Sequence, residues 1–177
     1  MKFQIVTNDK NELRKKFIHK FVDTNADNYK KDITTLKEYS DGMCYDGYLW
    51  DSLKADYTQI ERTMEQAMAY LKNKGNVFVM WDIFSKQRVP LSRILSNKYP
   101  KDTLIEIDSL ELSQFISREW SEDYRSDEKY LPEDIYIFDN AMNWYVIYTH
   151  EGYDNMMKSD LNEEDYTRIC FVYETTD

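Results

Sequence analysis

Asp82 follows Trp81 inside "NVFVMWDIF", residues 76–84, a run whose only other polar side chain is Asn76. A carboxylate in so apolar a run is costly to bury unless it is paired or hydrogen-bonded. A second stretch, "DIYIFDNAMNWYVIYTHEG" at 134–152, sets Asp139 and the His150–Glu151 pair at the ends of two apolar runs, with Trp144 between them. Trp81, Asp82, Asp139, Trp144, His150 and Glu151 are therefore the candidate lining of a pocket. Two carboxylates that converge there would provide the pair that hydrolytic chemistry needs. The same residues have a plainer reading. Asp82 then sits near a strand end, bonded to a loop or paired with an arginine, and Trp144, Tyr145 and Tyr148 are sheet core with a histidine at the rim.

Other chemistries find little in the sequence. It has no glycine-rich phosphate loop, no serine-centred elbow, no paired cysteines and no His-Glu helix motif, so no cofactor is expected. The only two histidines, His19 and His150, are remote from each other, and no spacing supports a metal site. Cys170 lies between Ile169 and Phe171, where a thiol behaves as a small hydrophobe, and Cys44 lies in a polar turn. Both read as free thiols of a reducing compartment.

The net charge of −10 is unevenly distributed. Residues 1–25 carry six basic and three acidic side chains, whereas residues 132–177 carry two basic and eleven acidic. Such a surface repels nucleic acid and anionic membranes and attracts basic proteins. Residues 150–166, "HEGYDNMMKSDLNEEDY", hold six of these carboxylates and one lysine, with Asp139 a seventh at the other end of the hairpin. Tyr153, Met156 and Met157 are apolar groups amid that charge. With Glu163, Glu164 and Asp165 they have the composition of a contact patch for a basic partner. The alternative is that Tyr153 and the methionines fold back over the sheet. No secretory signal opens the chain, since "MKFQIVTNDKNEL" turns polar after six residues, and no apolar run is long enough to cross a bilayer. A cytoplasmic location is the expectation.

The elements that must position these residues follow from periodicity. "KFQIV" is a short strand. A helix follows it, with Asp9 and Glu12 as a capping box, Leu13, Phe17 and Phe21 as its apolar stripe and His19 facing solvent. A weaker helix spans 27–39. Tyr57, Ile60, Met64, Met68 and Leu71 mark a long helix over 55–75 that ends at Gly75. Strands follow at 76–84 and 102–108, with a short helix at 89–100 between them. Next comes a helix capped by Asp108, then the hairpin and a last strand at 168–174. The hairpin's five-residue link makes it antiparallel. The expected fold is α+β, one domain over 1–177, with a mixed, largely antiparallel sheet. Its helical part runs from about 8 to 74 and its sheet-rich part from about 76 to 177.

Several blocks carry a resemblance: "DGYLWD" at 46–51, "VMWDI" at 79–83, "LPEDIYIFDNAMNW" at 131–144 and "YTHEG" at 148–152. They are similar to blocks in small acidic bacterial proteins of uncharacterised function. Those proteins in turn resemble immunity proteins of polymorphic toxin systems, which bind and neutralise a cognate toxin. "LPEDIYIF" also distantly resembles the Leu-Pro-centred segment of the yeast cell-wall-regulator-like immunity superfamily. The resemblance implies an intracellular binding protein; with the acidic charge it sets the expectation of a basic protein partner and of no enzyme activity. The other reading is a small carboxylate-dependent enzyme with its pocket near Asp82, Asp139, His150 and Glu151.

Overall fold

Seven strands form a single sheet in the order β1-β4-β3-β5-β6-β7-β2, and every neighbouring pair is antiparallel. The structure is a computed structural model that describes residues 2–33, 48–57, 60–82, 103–118, 134–149 and 169–175. The strands are β1 (Gln4–Ile5), β2 (Ile60–Thr63), β3 (Asn76–Trp81), β4 (Ile105–Asp108), β5 (Ile135–Phe138), β6 (Trp144–Tyr148) and β7 (Ile169–Glu174). The helices are α1 (Lys10–Phe21), α2 (Asp27–Ile33), α3 (Met64–Leu71) and α4 (Ser109–Arg118), and a 3-10 turn covers Leu49–Ser52. The fold is α+β. The expected mixture of strand directions is corrected to a wholly antiparallel sheet among the described residues. Among these residues no helix is long and apolar enough to cross a membrane.

Both faces of the central strands are buried, which explains why they read as continuous apolar runs. Alternation sends Val77, Val79, Trp81, Ile135, Ile137, Trp144, Val146 and Tyr148 to one face. There they pack with Ala67, Met68 and Leu71 of α3 and Leu112 of α4. Met80, Tyr136, Phe138, Tyr145 and Ile147 face the other way, against Leu13, Phe17 and Phe21 of α1 and Leu49 of the 3-10 turn. Phe17 is the hub of this second layer. Its ring lies 5.0 Å from Phe21, 5.6 Å from Tyr136, 5.1 Å from Phe138 and 6.1 Å from Tyr145. Cys170 is buried on the α3 side.

Two sequence expectations are corrected. The long helix over 55–75 is instead β2 followed by α3. Thr63 breaks the pattern, because its hydroxyl accepts from the Gln66 N–H at 3.3 Å while Gln66 accepts from the Thr63 N–H at 3.1 Å. The apparent stripe is divided between the layers: Met68 and Leu71 lie on the α3 side and Tyr57 on the α1 side. Asp9 makes no capping bond through its side chain, because its backbone is left-handed (φ 59°) rather than extended. β1 and β2 form the two edges of the sheet.

Other expectations hold. Asp108 accepts from the Leu110 and Glu111 N–H groups at 3.0 and 3.1 Å and caps α4. By contrast, Gly75 does not cap the helix: α3 ends at Leu71 with Lys72 as its C-cap, and Gly75 takes φ +70° in the turn before β3. The helix expected at 89–100, the far half of the one at 27–39, and Cys44 lie outside the described residues.

Candidate functional site

The end of β3 and the start of β5 are adjacent in the sheet, since Trp81 pairs with Ile135. That register brings Asp82 and Asp134, one residue beyond each strand, to the same end of the sheet. Each carboxylate side chain belongs to a residue only 6 % exposed. Three further elements close over them. The Tyr136 hydroxyl, from β5, lies 3.0 and 2.8 Å from the two oxygens of Asp82 and donates to that carboxylate. The 3-10 turn presents the Leu49 N–H to Asp82 Oδ1 at 3.1 Å and the Trp50 indole N–H to Asp134 Oδ1 at 3.1 Å. The Trp50 backbone N–H donates to the Tyr136 hydroxyl at 3.2 Å, so the donors run in series from Trp50 through Tyr136 to Asp82. From α1, Arg14, only 1 % exposed, donates to the Trp81 carbonyl at 2.9 Å.

The electrostatics follow from this enclosure. Burial pushes the Asp82 carboxyl well above its ordinary value, and the negative charge of Asp134 pushes it further. The Leu49 N–H, the Tyr136 hydroxyl and the positive charge of Arg14 act in the opposite direction and do not prevail. Asp82 therefore holds its proton more strongly than a solvated aspartate.

The arrangement joins four parts of the chain that are distant in sequence: α1, the 3-10 turn, β3 and β5. Its groups face one another and are nearly closed to solvent. That geometry suits a polar clasp within the core better than a carboxylate pair presented to a substrate.

Only part of the candidate pocket can be placed, and that part does not converge. Asp82 and Asp139 stand at opposite ends of β5. The Asp139 carboxylate is engaged in its own turn, accepting from the Asn143 N–H at 2.8 Å. Trp81 and Trp144 lie in the α3 layer, on the opposite face from Tyr136, which binds Asp82. Trp144 packs edge-on to Tyr70 with centroids 5.9 Å apart, and the Lys74 ammonium lies 5.3 Å from the Trp144 ring. His150 and Glu151 lie outside the described residues, as do the contact residues Tyr153, Met156, Met157, Glu163, Glu164 and Asp165.

Of the two readings of Asp82, the structure shows the one with a loop bond and a nearby arginine. Sequence reasoning missed Arg14, Asp134 and Tyr136. Arg14 had one available signal: it falls beside Leu13 and Phe17 near the apolar stripe, at a position where α1 is buried.

Among the described residues, no three His, Cys, Asp or Glu side chains come together so as to hold a metal. No protein-family model matches the chain, and neither the curated proteins nor the solved structures contain a match.

Proposed function

We propose that this protein is an intracellular, acidic protein-binding module that neutralises a basic protein partner, as the immunity proteins it resembles do. One observation carries the reading: the concentration of negative charge in residues 132–177, with eleven carboxylates against two cations. Six of the eleven belong to the connection between β6 and β7. Both ends of that connection are fixed to the sheet at one place, because Thr149 donates through its hydroxyl to the Ile169 carbonyl at 2.7 Å. A dense acidic segment tethered to a rigid sheet suits electrostatic steering of a basic protein, with Tyr153, Met156 and Met157 as apolar anchors. The clasped state of Asp82 and Asp134 agrees with binding rather than carboxylate catalysis.

The test uses the basic product of a neighbouring reading frame as partner, with association followed by stopped flow over a salt series. The parent should bind with an on-rate that falls steeply as salt rises. The variant Glu163→Gln, Glu164→Gln, Asp165→Asn should fold normally and associate about tenfold more slowly at low salt, with its off-rate little changed. Equal on-rates for parent and variant, or association insensitive to salt, would remove the acidic segment from the contact.

A further inference from the structure

Against the acidic whole, one cleft is basic. It has a volume of about 540 Å³ and lies between the C-terminal part of α1, Lys54 and the turn that joins β5 to β6. Lys16, His19, Lys20 and Lys54 line it together with Tyr57 and Asn140, and among the described residues no carboxylate lines it. We infer that this cleft is a binding site for a compact polyanion, a small molecule bearing two or more phosphate or carboxylate charges. The inference is independent of the partner reading above.

The cationic groups are held in place. Lys54 donates to the His19 carbonyl at 2.5 Å and to the Lys20 carbonyl at 3.1 Å, and Lys20 donates to the Met142 carbonyl at 2.5 Å. Met142 has a left-handed backbone, φ 59°, within this turn. An ammonium has three donors, so these bonds leave capacity on both lysines for a ligand oxygen while restricting their motion. Lys16 and His19 stand on the same helix at the exposed rim of the cleft.

Two nearby features oppose an anion, and neither outweighs the lysines. The C-terminal end of α1 contributes about half an elementary negative charge, against three ammoniums. The adjacent carboxylates of Asp139 and Asp23 are engaged locally, accepting from the Asn143 and Asn25 N–H groups at 2.8 and 2.9 Å. The volume falls in the range of small-molecule sites. Tyr57 and Asn140 line the cleft beside the cations.

The experiment is calorimetric titration of the full chain with pyrophosphate and, separately, with citrate at matched ionic strength. Saturable binding of at least one is expected, and the tighter of the two identifies phosphate or carboxylate as the natural chemistry. The double variant Lys16→Gln, His19→Gln touches only exposed rim groups and should keep the parent's circular dichroism while binding about tenfold more weakly, since a charged hydrogen bond is lost. Absence of saturable binding by either anion would overturn the inference, as would a double variant with the parent's affinity.

Discussion

Replacing Asp82 by asparagine tests the clasp at its centre. The change keeps the shape and one acceptor oxygen, and it removes the titration. Because Asp82 binds its proton more tightly in the folded chain than in the unfolded one, folding and protonation favour each other. The resulting stability is fully present below the ordinary carboxylate value of 3.8 and is lost as pH rises through the raised folded-state value. In the asparagine variant this dependence disappears. The stability of parent minus variant should therefore fall by about 1.4 kcal/mol for each pH unit inside that window and level off above it.

Asp82→Ala is the harsher companion. It strips the acceptor from the buried Leu49 N–H and Tyr136 hydroxyl. At about 1–3 kcal/mol for each of the two orphaned groups, the cost is about 2–6 kcal/mol. Urea unfolding followed by tryptophan fluorescence at several pH values between about 4.5 and 8 measures both variants. A constant difference between parent and Asp82→Asn across that range would refute the argument that burial and Asp134 hold the proton on Asp82.

Two further perturbations probe the rest of the frame. Phe17→Ala empties the hub of the aromatic layer and should destabilise the chain by about 3–5 kcal/mol in urea unfolding, whereas a loss below about 1 kcal/mol would mean that the four neighbouring rings do not depend on it. Thr63→Ala removes the capping box of α3 and should cost about 1 kcal/mol, with amide exchange accelerated in the first turn of α3 and unchanged in β3.

Periodicity carried most of the fold because each central strand is packed on both faces. Runs such as "IYIF" and "WYVIY" announce buried strands whatever the topology, and the five-residue link between them forces them antiparallel. The same logic failed over 55–71. Tyr57, Ile60, Met64, Met68 and Leu71 keep helical spacing, yet the chain changes from edge strand to helix at Thr63, and the stripe serves two layers. Periodicity reports that a side chain is apolar and says nothing about which side of a sheet it will meet. The clasp was half legible for a related reason. A lone carboxylate in an apolar run signals that partners must exist, which singled out Asp82. Their identity depends on contacts across long separations: Tyr136 lies 54 residues further on, and Arg14 bonds to the carbonyl of a residue 67 positions away.

The carboxylate clasp and the basic cleft sit at opposite ends of one framework. At one end of β5 and β6 stand Asp82, Asp134 and the anchor points Thr149 and Ile169, from which the acidic connection departs and to which it returns. At the other end, the turn after β5 meets Lys20 at the close of α1, and Lys54 bridges from the segment after the 3-10 turn. α1 itself spans the distance, with Arg14 at the acidic clasp and Lys16, His19 and Lys20 at the basic cleft. Were a basic protein the partner, attraction by the acidic connection and repulsion by the cleft would together orient its approach. If both proposals hold, the lysines of the cleft would serve a negatively charged ligand directly and a basic partner by exclusion. Each of the two proposals nevertheless stands or falls on its own experiment.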